Sequence, residues 1–162
     1  MTPAVRRLRE ADVRPLVEEL WLPFAREMAE LADRNALADD VDLVAAGVEH
    51  REDRLDDDEA VTWVAVDDGE LVGYAAASVE SSAPVFAAGD RLHVGELYVR
   101  EPDRGGGVAG DLLDRVEETA AARGCERVTL DVDVGNERAR AFYEKRGFDV
   151  ARHRMVDRAD EA

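Results

Sequence analysis

Between residues 91 and 124 the hydrophobic spacing changes from that of a strand to that of a helix across a turn of three consecutive glycines. Arg91 to Val99 reads as a strand, and Val108, Leu112, Leu113, Val116 and Ala120 then trace one helical face, closed by Gly124 as a C-terminal cap. Glycines let backbone N–H groups turn toward an anion and let it approach closely. The helix N-terminus adds about half a positive charge. A turn of this kind, formed by Gly105, Gly106 and Gly107, suits a pyrophosphate. Gly95, inside the strand, is expected to mark a bulge or a close backbone approach.

The rest of the chain alternates in the same way. Val5 to Arg9 is a short extended segment. Val13, Leu16, Val17, Leu20, Phe24, Met28 and Leu31 recur at helical spacing, with Asp12 as N-cap and a kink or break expected near Leu22 because Pro23 lacks a backbone donor. A second helix is expected over Asp40 to Arg54, and the charged run Arg51 to Glu59 reads as a solvated helix end and loop. Ala60 to Val66 and Leu71 to Val79 are strands joined by the hairpin turn Asp67-Asp68-Gly69, and Ser81 to Gly89 is a loop. Val128 to Val134 is a strand, Asn136 caps a short helix ending at Arg146 and Gly147, and Phe148 to Val156 is a last strand. The order is β-α-α-β-β-β-α-β-α-β, read as one α/β domain with a mixed sheet over residues 1–162.

The formal net charge is -17, from 38 acidic and 21 basic residues, of which 20 are Arg and one is Lys145. The carboxylates are dispersed along the chain, so the excess reads as a halophile's adaptation to concentrated salt, with a surface that attracts a cationic partner as the alternative. No basic patch supports nucleic-acid binding. No apolar run approaches the roughly 20 residues of a spanning helix, and the start of the chain lacks a signal-peptide pattern, so a cytoplasmic, non-membrane protein is expected. The single Cys125 excludes an internal disulfide and a thiolate metal cluster, and reads as a buried structural thiol. His50, His93 and His153 show no paired metal-ligand spacing, so no metal is expected.

Three nucleotide-type readings compete for the glycine turn. A Walker loop requires Lys-Ser/Thr after its last glycine, whereas Gly110 is followed by Asp111. Gly105, Gly107 and Gly110 match Gly-x-Gly-x-x-Gly, with Asp131 about 20 residues further on. Yet Arg100 to Arg104 intervene between strand and first glycine, and too little chain follows for a doubly wound sheet. The third reading is Arg-x-x-Gly-x-Ala, filled by Arg104, Gly107 and Ala109. It resembles the pyrophosphate loop of the GNAT superfamily of acyl-CoA-dependent N-acyltransferases. Leu97-Tyr98-Val99 resembles the strand before that loop. Asn136 to Phe148 resembles the family's Asn-x-x-Ala-x-x-x-Tyr-x-x-x-Gly-Phe segment.

The resemblance covers about residues 3 to 156 and implies a GNAT-type domain with splayed central strands. It implies acetyl-CoA as co-substrate, bound by the stretch Leu97, Tyr98 and Val99, by Arg104, Gly105, Gly107, Val108 and Ala109, and by Asn136 and Tyr143. Backbone groups of Leu97 and Val99 would hold the pantetheine arm, and amides of Gly105, Gly107, Val108 and Ala109 the pyrophosphate. Asn136 would contact the pantetheine or cap its helix. Arg138, Arg140 or Arg146 would meet the 3′-phosphate or form a solvated helix face. Tyr143 matches the tyrosine that gives a proton to the departing sulfur, with core packing beside Phe142 as the alternative. Glu96 is the candidate base for the acceptor's ammonium, acting through water, with a substrate contact or a plain surface carboxylate as alternatives. The expected reaction is acetyl transfer to a primary amine of a small molecule or protein by direct attack in a ternary complex. The other class is a non-catalytic acyl-CoA-binding module on the same fold. The acceptor is expected over the first two helices and the Ser81 to Gly89 loop, with Trp21, Phe24 and Met28 as candidate lining. Leu20 to Leu37 and Pro84-Val85-Phe86 resemble small GNAT proteins of unassigned substrate, and a homodimer is compatible with the chain.

Overall fold

The structure is a computed structural model that describes residues 3–160. The chain divides into a larger unit ending at Asp131 and a smaller one beginning at Val132.

The larger unit is built on a five-stranded sheet: β1 Ala4–Arg7, β2 Ala60–Asp67, β3 Glu70–Glu80, β4 Arg91–Val99 and β5 Arg127–Leu130, in that spatial order. Pairing is antiparallel from β1 to β4 and parallel between β4 and β5, so the sheet is mixed as expected. The β2–β3 hairpin turns through Asp68 (φ 51°) and Gly69 (φ 79°), the positive pair that matches the twist of the strands.

Side chains alternate between two cores. Val61 and Ala65 of β2, Val72, Ala75 and Ala77 of β3, and Leu92, Val94 and Val99 of β4 pack with Val108, Leu112 and Val116 of helix α4 (Val108–Ala122). The opposite face packs Val64, Tyr74, Ala76 and Tyr98 against Val13, Leu16, Val17 and Leu20. That first helical run comprises α1 (Val13–Leu16), a π turn (Val17–Trp21) and α2 (Leu22–Leu31). Pro23 therefore does not break it. The widened turn just before the proline takes up the missing donor and the ring's clash with the preceding turn.

Asp12 does not cap α1. Its carboxylate turns back instead, accepting from the Arg9 amide (2.8 Å) and from both ends of the Arg6 guanidinium (2.6 and 3.0 Å). Helix α3 (Leu43–Leu55) is capped by Asp42, which accepts from the Ala45 amide at 3.0 Å. Helix α4 ends where expected: Gly124 is left-handed (φ 73°), and the Cys125 amide returns to the Ala120 carbonyl at 2.9 Å. Cys125 is half-buried, and burial raises its thiol pKa.

The smaller unit contains α5 (Glu137–Lys145). The strand expected over Phe148 to Val156 does not form: these residues have no ladder partner, and Val150, Met155 and Val156 are exposed. Their alternation is broken by Arg152-His153-Arg154, which leaves no apolar face to bury. No helix among the described residues is long and apolar enough to cross a membrane.

Candidate active site

A glycine in the middle of β4 organises the site. β4 pairs with β3 as Ala77↔Val94 and then Ala76↔Glu96, which leaves Gly95 as an extra, bulged residue. Without the bulge, Glu96 would follow Leu92 and Val94 into the core with α4. The extra residue shifts the alternation by one, so Leu97 and Val99 pack on that core, while Glu96 and Tyr98 turn to the side of the first helices.

The same point opens the sheet. β4 and β5 pair from Arg91↔Arg127 to Val94↔Leu130 and no further, so β5 ends at Leu130 rather than running on to Val134. Gly95 to Val99 continue with β3 on one side only. The Arg100 amide donates to Val72 O at 3.0 Å. Alternation then directs the backbone of Tyr98 and Glu96 to β3 and that of Leu97 and Val99 outward into the gap. These are the strand groups expected to hold an extended ligand. The Tyr98 backbone faces β3, and its ring is buried against Phe24 at 5.6 Å, behind the strand.

Beyond β4 the chain makes a short 3-10 turn (Glu101–Asp103) and reaches the glycines. Gly105 (φ 86°) and Gly107 (φ 88°) are both left-handed, and a Cβ at either would meet nothing within 4 Å, so the backbone there faces open space. The first bond of α4 runs from the Asp111 amide to the Gly107 carbonyl (3.0 Å), so the Val108 and Ala109 amides precede the helical ladder. A bare backbone cradle at the N-terminus of a 15-residue helix fits a pyrophosphate. The Arg104 side chain is engaged within the protein. Its Nε donates to the Val99 carbonyl (2.8 Å), its Nη2 pairs with Glu27 (3.0 Å), and it lies over the Tyr98 ring. Its guanidinium is a brace between β4, α2 and the turn.

On the helical side of β4, a cavity of about 460 Å³ is lined by Trp21, His50, Arg51, Arg54, Ser78 and Glu96, among others. Arg51 is only 2% exposed. Its Nη2 donates to both Glu96 oxygens, at 2.8 Å to Oε1 and more closely to Oε2, and its guanidinium lies over the Tyr74 ring. Burial, reinforced by Arg51 and Arg54, lowers the His50 pKa. Burial pushes the Tyr74 phenol well up. Of the expected lining residues, Trp21 borders the cavity, whereas Phe24 packs edge-on against Tyr74 and Tyr98.

In the smaller unit, Tyr143 sits on α5 between Phe142 (5.5 Å) and Phe148 (5.7 Å), and burial pushes its phenol up to about 12. It therefore keeps its proton throughout the physiological range. Asn136 caps α5 by accepting from the Ala139 amide at 3.2 Å, so its carbonyl oxygen is engaged by the helix. Arg140 pairs with Glu144 along the helix, as a solvated face does.

The chain is similar to known proteins. Over 150 residues the chain is 33% identical to a mycothiol acetyltransferase of Beutenbergia cavernae, covering 90% of this chain but 46% of that protein, so the chain spans less than half of that relative. The BH1408 protein of Bacillus halodurans, solved as a tetramutant, superposes with a TM-score of 0.83 at 18% identity, covering 96% of this chain and 99% of that one. A predicted acetyltransferase from Clostridium acetobutylicum, solved with acetyl-CoA, superposes with a TM-score of 0.73 at 19% identity, covering 96% and 95%. The profile of the acetyltransferase (GNAT) family matches residues 17–148, and the chain belongs to that family.

Proposed function

We propose that the protein is an N-acetyltransferase that moves the acetyl group of acetyl-CoA to a primary amine of a small molecule or protein. One observation carries this reading. Beyond Gly95, β4 turns the backbone of Leu97 and Val99 into a gap in the sheet, and the strand then leads into a left-handed glycine turn at the start of α4. That is an extended track for the pantetheine arm, ending in donors for its pyrophosphate.

Bound acetyl-CoA supplies an activated acyl group. The acceptor arrives as an ammonium, and Glu96 takes its proton through water and returns it to solvent. Arg51 holds both oxygens of that carboxylate and so fixes where the ammonium docks. The free amine attacks the carbonyl carbon, the C–N bond forms and the C–S bond breaks. The departing sulfur takes the proton of Tyr143, and the tyrosinate is reprotonated by the second proton that the acylated nitrogen gives up, relayed through water. Burial at about 12 makes Tyr143 a donor that is always loaded at neutral pH. Its role rests on its place in the Asn136 to Phe148 motif. No covalent enzyme intermediate is involved, since positioning in a ternary complex suffices.

The second reading, an acyl-CoA-binding module without turnover, draws on one observation: Arg51 already engages both oxygens of Glu96. Amine-dependent release of CoA thiol separates the two. We further read residues 1–162 as one catalytic domain of a cytoplasmic protein, and the dispersed carboxylates as an adaptation to concentrated salt. A homodimer is consistent with this reading.

A further inference from the structure

Deepening the N-acetyltransferase reading, on which it rests, we infer that the acceptor is an amine that also carries a carboxylate, an amino-acid-like zwitterion, and that Arg54 receives that carboxylate.

The cavity beside Glu96 is locally inverted in charge. The whole chain carries 38 acidic against 21 basic residues. The cavity is lined by two arginines and a histidine against a single carboxylate. The Arg51–Glu96 pair cancels internally, which leaves Arg54 as the unbalanced cation. Among the described residues Arg54 has no carboxylate partner. Its Nη2 donates to the Ala77 carbonyl (3.1 Å), and its Nε is buried without an acceptor. Arg51 Nη1, on a side chain 2% exposed, is likewise buried without an acceptor. Arg54 as a whole is only half-buried and lines the cavity, so the open part of its guanidinium is what a carboxylate would meet.

The layout separates the two ends of such a guest. Arg54 follows Arg51 by three residues on α3, which stacks them about 5–6 Å apart on one face. Across the cavity, Glu96 is paired with Ala76, and Ser78 lies two residues further along β3. The Glu96 end suits an ammonium, and the Arg54–Ser78 end suits a carboxylate. A cavity of about 460 Å³ is in the range of small-molecule sites. A polycation would meet Arg54 directly, so polyamines and aminoglycoside-like acceptors are disfavoured.

The test measures CoA thiol release with pairs of acceptors that differ only in the carboxylate: alanine against alaninamide, phenylalanine against phenylalaninamide, lysine against lysinamide, with spermidine added. The free acids are expected to show kcat/KM at least about tenfold above their amides, equivalent to about 1.4 kcal/mol. In Arg54→Gln that ratio should collapse through KM, and Arg54→Lys should restore part of it, which separates a binding role from damage to the fold. Release with the amides or spermidine alone, or an unchanged ratio in Arg54→Gln, overturns the inference and leaves the N-acetyltransferase reading standing. No release with any amine overturns that reading instead. Calorimetry of the free amino acids on CoA-loaded protein then decides the inference: binding that weakens in Arg54→Gln supports it, and no binding overturns it.

Discussion

Arg51 and Glu96 stand 45 residues apart in the chain and meet as one ion pair between α3 and β4, with the arginine donating to both carboxylate oxygens. Removing one partner leaves the other partly buried without its counter-charge. Arg51→Gln should therefore destabilise the fold by about 3 kcal/mol, the low end for a buried pair because Glu96 keeps 19% of its exposure. Arg51→Gln/Glu96→Gln together should cost less than Arg51→Gln alone. Urea titrations of the three variants check this, and strictly additive losses would contradict it.

Glu96→Gln keeps the shape of the side chain and removes the proton acceptor. Turnover should fall by about 10²-fold or more with acetyl-CoA affinity nearly unchanged. Steady-state kinetics beside calorimetric binding of CoA separates the two quantities.

Tyr143→Phe should lower kcat more than it raises KM for acetyl-CoA. The phenol is also a pH reporter. Its pKa in the fold, about 12, lies above the ordinary value of about 10, so the fold favours the protonated form. The resulting stability is present below pH about 10 and is lost as pH rises through about 12. An ultraviolet titration should show at least two tyrosines fewer, Tyr74 and Tyr143, ionising near pH 10 than in the unfolded chain, and Tyr143→Phe should leave that early-titrating population unchanged.

Gly107 is left-handed at φ 88°, and a Cβ there meets no atom within 4 Å. Gly107→Ala should cost only the backbone strain, about 1–2 kcal/mol. It should weaken CoA binding more than that, because the methyl group enters the space left for the ligand. Thermal melts and CoA calorimetry, compared on the same variant, test the difference.

The net charge of -17 opposes an anionic ligand at long range. Screening contracts from about 10 Å at 0.1 M salt to about 3 Å at 1 M. CoA affinity should therefore hold or improve between these conditions, and a loss in molar salt would contradict the reading of the acidic surface as a salt adaptation.

The strand–glycine–helix passage was legible in sequence because each part is local. Gly95, the left-handed turn and the Gly124 cap follow from single residues and their neighbours. Arg51 was not legible in this way. It opens a charged run, Arg51 to Glu59, that reads as solvent-facing, and its partner lies on another element. The signal was nonetheless present: Val44, Gly47, Val48 and Arg51 are spaced as one helical stripe, and the stripe faces the core. The bulge at Gly95 was anticipated, but its effect on Glu96 was not, since only the register against β3 shows which face the shifted side chain takes. Tyr98 and Arg104 match motif positions by residue type, yet Tyr98 is turned into the core and Arg104 is drawn to Glu27 and Val99. The missing last strand reflects a partner that short-range alternation cannot supply.

The most direct measurement is the release of CoA thiol from acetyl-CoA as a function of added amine, with the acetylated amine identified by mass. The account predicts release that depends on amine concentration, saturates, and falls sharply in Glu96→Gln and in Tyr143→Phe. Tight CoA binding with no amine-dependent release from any acceptor would contradict it and identify the fold as a binding module.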